Sequence, residues 1–202
     1  MTTYSNLKYD HPFSSNATGT GSLTLISSQT ASASASISFT SGIDSTYDEY
    51  VFKFINIHPA TDDVQFTFQA STDGGSSYGV ATTQTSFFAL HDEADTSTNL
   101  GYSTTFDGAS NTTSFLTIAD SIGNDNDQSG SGYFHLFNPS DTTFVKHFIN
   151  TFNQYMASDI SNQRRQAGYI NTTSAINAIQ FKFSSGNIDD GTIILYGVKW
   201  LI

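Results

Sequence analysis

Cysteine is absent from this 202-residue chain, so neither a disulfide framework nor a thiolate metal site can form. Basic residues are scarce as well. Seven Lys and Arg stand against 18 Asp and Glu, a formal net charge of -11, and all charged residues together make up only 12% of the chain. A field of that sign repels phosphate backbones and anionic lipid, which argues against nucleic-acid and membrane-surface partners. No apolar run approaches the ~18 residues that a membrane-spanning helix needs. The start, Met1-Thr2-Thr3-Tyr4-Ser5-Asn6-Leu7-Lys8, carries no apolar h-region of a secretion signal. The chain is therefore expected to assemble in the cytoplasm of the cell that makes it, and to leave by lysis if it acts outside. A Gly-x-Ser-x-Gly elbow and a Lys-bearing phosphate loop are missing too, so nucleophilic catalysis and phosphate binding have no motif to rest on.

What is present is aromatic and hydroxylic. The 17 Phe and 10 Tyr point to a core built on rings, and Ser and Thr make up more than a quarter of the sequence. Thr packs well on a pleated surface, and Ser suits turns. Two alternating runs, Val51–Ile57 and Val64–Ala70, read as strands by their period of two. After the second comes Asp73-Gly74-Gly75, whose glycines can take the positive φ of a tight hairpin. Further strands are expected over 23–27, 33–39, 78–88, 113–119, 132–138, 142–155, 175–184 and 192–201. The segment around Val145, Phe148, Ile149, Phe152 and Met156 also fits helical spacing, but its Thr residues and dense aromatics favour a strand. The pattern predicts an all-β fold, an antiparallel β-sandwich of jelly-roll type over 23–202. Residues 1–22 read as an extended N-terminal arm. Tyr4, Leu7, Tyr9 and Phe13 are its candidate docking anchors, and Asn16–Ser22 is a flexible connector.

Three constellations could carry chemistry. Asp125-Asn126-Asp127-Gln128-Ser129-Gly130 matches the opening of a calcium loop, with oxygen donors Asp125, Asp127 and Ser129 and glycine sixth. The twelfth position, which should supply a bidentate Glu, is Leu136, so a solvated acidic loop is the competing reading. His91-Asp92-Glu93 with Asp95 lacks a second His at i+3 or i+4 and is expected to be an exposed loop. Arg164 and Arg165 are the only arginines, a local reversal of sign. They read as a solvated pair or as an anchor forking onto a neighbouring subunit's carboxylates. Exposed Tyr and Phe offer a sugar-stacking platform, although their alternation favours core packing. A carboxylate pair for glycoside hydrolysis is defined in space and stays open.

Three pieces, spread over about residues 23 to 199, carry a resemblance. They are Ser36-Ile37-Ser38-Phe39 leading to Tyr47-Asp48-Glu49-Tyr50, then Ala70-Ser71-Thr72-Asp73-Gly74-Gly75-Ser76-Ser77-Tyr78, and last Gly186-Asn187-Ile188 with Gly191 to Lys199. The closing Leu195-Tyr196-Gly197-Val198-Lys199 is the most specific. Together they resemble β-sandwich virion proteins of tailed bacteriophages, marine ones especially, described as tail fibres, appendages or head decorations. The resemblance implies a non-enzymatic structural protein without a cofactor, oligomeric and often trimeric, located in the virion and bound to capsid or tail proteins. It assigns no binding residue. Contact with a host-surface glycan, a lectin-like module and a β-sandwich glycosidase are the alternatives.

Overall fold

The computed structural model describes residues 23–199, so the arm of residues 1–22 and Trp200 lie outside the described residues. The strands, in chain order, are β1 (Leu23–Thr30), β2 (Ile37–Phe39), β3 (Glu49–Pro59), β4 (Val64–Ser71), β5 (Thr82–Asp92), β6 (Thr98–Tyr102) and β7 (Gly108–Thr112). They continue as β8 (Leu116–Ile122), β9 (Gly130–Phe137), β10 (Lys146–Met156), β11 (Ile160–Ile170), β12 (Ala178–Phe183) and β13 (Ile188–Val198). All thirteen join one antiparallel sheet, in the order β1-β13-β3-β9-β10-β8-β4-β12-β2. At β10 the sheet branches. β11 pairs along the full length of β10 and leads on to β5 and then β6 and β7, while β8 meets β10 only at Met156 opposite Ile122. That single contact is the fold line. The sheet closes over itself there into a sandwich-like, nearly closed barrel, as the all-β reading expects.

The ambiguous segment is strand, for a reason visible in its burial. Lys146, Phe148, Asn150, Phe152 and Gln154 alternate inward, and His147, Ile149 and Asn153 face out. Aromatics fill the space between the layers. Phe52 and Phe54 of β3 meet Phe181 of β12 at 5.2 and 5.0 Å, and Phe68 of β4 meets Phe134 and Phe148 at 4.7 and 5.0 Å. Edge-on and tilted pairs dominate, which the ring quadrupole favours.

The two alternating runs lie in different layers, and one expectation about connectivity changes. The runs β3 and β4 do not pair with each other; β3 pairs with β13 and β9, and β4 with β12 and β8. They face each other across the core instead, with Phe54 and Phe66 5.5 Å apart. Nor does Asp73-Gly74-Gly75 close a hairpin. Gly74 and Gly75 do take φ of 72° and 86°, but β4 and β5 share no ladder. The turn lets the chain cross from one layer of the sandwich to the other. Asp73 organises it, accepting from the hydroxyls of Ser71 and Ser77, each at 2.6 Å. Those donors hold its carboxyl down to about 2.

Candidate functional site

Strand alternation sends one set of side chains from β1, β13, β3, β9, β10, β11 and β5 into the core and the other set to an outer face. The inter-strand registers fix which outer residues stand side by side. One row runs Leu25, Tyr196, Val51, His135, Ile149, Ala167 and Thr85. The next runs Ile194, Lys53, Tyr133, Thr151, Arg165, Phe87 and Tyr102. Several of these large side chains are exposed: Leu25 at 61%, Tyr102 at 54%, and Tyr133 and Ile149 at 47% each. Tyr133, Val51, Tyr196, Val198 and Leu23 wall a groove of about 470 Å³ with Lys53, Glu49 and His135. Glu49 is buried and accepts from His135 Nδ1 at 2.5 Å, so the one carboxylate of the groove is covered and partnered. Lys53 lies 5.9 Å from the Tyr133 ring.

The charge of this face is close to balanced on an acidic molecule: Lys53 and Arg165 stand beside Glu49 in the groove and Asp107, which accepts from the Tyr102 hydroxyl at 3.0 Å. Along the two rows the charged residues are Lys53 and Arg165, whereas the carboxylates of Asp62, Asp63, Asp73, Asp125, Asp127, Asp141 and Asp189 sit on turns and ends. An apolar, aromatic sheet face that carries cations on an acidic body is suited to binding a macromolecule. Sequence reading passed over Lys53, Tyr133 and Tyr196 as site residues. Its available signal was that Tyr133-Phe134-His135-Leu136-Phe137 and Ile193-Ile194-Leu195-Tyr196 are bulky at both parities, the mark of strands covered on both faces.

The adjacent arginines part company here. Arg165 faces outward between Thr151 and Phe87. Arg164 points inward, 3% exposed, and is no partner anchor; this corrects the pairing of the two. Its Nε donates to Asp120 at 2.5 Å and its Nη1 to Ser86 at 3.1 Å, and its guanidinium lies 4.9 Å from Phe106 and 5.4 Å from Phe88. Asp120 also accepts from Gln154 at 2.7 Å and Asn162 at 3.3 Å. This buried polar cluster belongs to the fold. It fills the part of the sandwich where β5, β10 and β11 turn polar side chains inward.

The calcium-loop residues lie at one end of the molecule. Asp127 and Ser129 line a polar cavity of about 530 Å³ with Asn56, His58, Asp189 and Asp190. At this end Asp190 accepts from the Gly191 amide at 2.6 Å, and the Asp125 main-chain carbonyl is 3.2 Å from His58 Nε2. Among the described residues no three His, Asp or Glu side chains converge as a metal-binding group, and of the candidate set Asp125, Asp127 and Ser129 the last two share the cavity's lining. His91 and Asp95 pair at 3.0 Å on an exposed turn. That turn is capped by Asp92, which accepts from the amides of Thr96 and Ser97. The anchors Tyr4, Leu7, Tyr9 and Phe13 lie outside the described residues. No helix among the described residues is long and apolar enough to cross a membrane. Comparison with protein-family models, with curated proteins and with solved structures found no match.

Proposed function

We propose that this chain is a non-enzymatic structural protein of the bacteriophage virion type, a β-sandwich that associates with other copies and with capsid or tail proteins and is displayed on the particle. The observation that supports this reading is the outer face of the sheet. Exposed Leu25, Tyr133, Ile149 and Tyr102 with Lys53 and Arg165 form a broad contact surface on a body of net charge -11. Residues 1–22 are the second means of attachment. The test is immunogold electron microscopy of purified particles from the phage that encodes the chain, with antibody to the sandwich. Labelled heads or tails support the reading; particles without label, from lysates rich in the chain, overturn it.

A second reading is favoured by one arrangement. Tyr133, Arg165, Phe87 and Tyr102 share a row across the sheet, and aromatic rings in line with a cation suit an acidic glycan on a host surface. A glycan array probed with the wild-type chain and with Tyr133→Ala addresses it. Binding lost in the variant supports a lectin-like role, and an array blank for the wild type removes it.

A further inference from the structure

We infer that the groove walled by Leu23, Val51, Tyr133, Tyr196 and Val198 is the receptor for residues 4–13 of a second copy of this chain, so that copies join arm-to-groove. The inference rests on the reading of the outer face as a contact surface and names its occupant.

Four observations converge. First, the groove is apolar and open: Leu23 is 56% exposed and Tyr133 47%. Second, the preceding 22 residues hold side chains that match it. In the order Leu7, Tyr9, His11, Phe13 they alternate with Lys8, Asp10 and Pro12. An extended segment of that pattern puts Leu, two aromatics and an imidazole on one side. Third, the reach suffices. Extended residues 7–13 span about 23 Å, and the groove runs from β1 to β9, three inter-strand spacings or about 14 Å. Fourth, the charges are compatible. Lys8 and Asp10 cancel, so the segment brings no net charge to a groove that holds Lys53 and Glu49.

β1 begins at Leu23, opposite Val198 and itself one of the walls of the groove. Residues 14–22 span at most about 30 Å when extended, enough to reach an adjoining subunit. With one arm and one groove per copy the contact is heterologous, and it closes as a ring when the rotation allows.

The absence of cysteine makes the test direct. Full-length Phe13→Cys and Tyr133→Cys chains, one of them labelled with nitrogen-15, are mixed and oxidised with oxidised glutathione, and the linked peptides are read by mass spectrometry. The expected result is a 13–133 disulfide between a labelled and an unlabelled chain, and multimers from the double variant. Removal of residues 1–22 is expected to reduce the light-scattering mass to that of one chain, with the thermal transition retained. Leu25→Glu is expected to weaken association about tenfold, since it sets an unpaired charge against an apolar contact. A 13–133 link within a single chain at monomer mass, or no such link at all, overturns the inference. If the link is missing while Leu25→Glu still lowers the mass, the face is a contact surface with a different occupant, and the broader reading stands without this one.

Discussion

Arg164 and Arg165 are neighbours in sequence and live in different media, because a strand turns successive side chains to opposite faces. Arg165 is on the outer face, where a charge contributes little to stability. Arg164 is shielded with Asp120, and each would be an uncompensated buried charge without the other. Replacing one partner, as Arg164→Met or Asp120→Leu, is expected to lower unfolding free energy by about 3–5 kcal/mol. Arg165→Met is expected to change it by less than about 0.5 kcal/mol. Combining Arg164→Met with Asp120→Leu should cost less than the sum of the single changes, though not nothing, since Gln154 and Asn162 then lose their acceptor. Urea titrations with a shared slope measure all four, and additive losses would show that the pair is not coupled. Asp73 offers a second test at this scale. Its folded-state carboxyl titrates near 2, below the ordinary value of about 4, so its contribution is present above pH 4 and is lost as pH falls from 4 towards 2. Ser77→Ala removes one hydroxyl and should move the carboxyl's carbon-13 NMR titration upward. An unmoved curve would assign the depression to Ser71 and the Ser77 amide alone.

Among the elements, β10 and β11 show what patterning can and cannot convey. β10 was legible because Phe148 and Phe152 alternate with polar residues. β11, Ile160–Ile170, was not anticipated at all. Its inward side chains are Asn162, Arg164 and Gln166, so hydrophobic alternation is absent although burial alternates fully. Polar residues can face a core only if hydrogen-bonded, and the partners come from β8, 49 and 44 residues earlier: the Thr117 carbonyl for Gln166, Asp120 for Arg164. Nothing local announces such partners. β6 and β7 were missed for a simpler reason, being short additions to the far side of β5. Glycine marks another non-local constraint. A Cβ on Gly132 would lie 2.3 Å from the Thr151 carbonyl oxygen and 2.8 Å from the Phe152 Cα, both backbone atoms of β10. Alanine usually improves a strand relative to glycine, yet Gly132→Ala is expected to destabilise by about 1–3 kcal/mol because the β9–β10 ladder must open. At exposed Gly74, where a Cβ meets no atom within 4 Å, only the left-handed φ of 72° resists substitution. Thermal melts of Gly132→Ala and Gly74→Ala compare the two causes, and a wild-type melt for Gly132→Ala would refute the close approach.

On the scale of the whole molecule, the acidic total hides an uneven distribution. Composition gave the sign and the all-β class, but the face on which Lys53 and Arg165 align with Tyr133 and Phe87 depends on the registers of four strands distant in sequence. It was therefore invisible beforehand, while the His91–Asp95 cluster, expected to be an exposed loop, is an exposed turn capped by Asp92. The distribution has a consequence for assembly. Two subunits each of net charge -11 repel at long range, over about 30 Å at 0.01 M salt and about 8 Å at 0.15 M. The contact proposed above is apolar and aromatic, and burial of that kind is not weakened by screening. Raising sodium chloride from 10 mM to 0.5 M should therefore increase the light-scattering mass of the full-length chain, because salt removes the repulsion and leaves the contact. If Lys53 and Arg165 held the subunits together by ion pairing with a neighbour's acidic turns, the same titration would lower the mass. Lys53→Ala with Arg165→Ala separates the two: in the apolar case it leaves the rising curve in place, and in the ionic case it abolishes association at low salt.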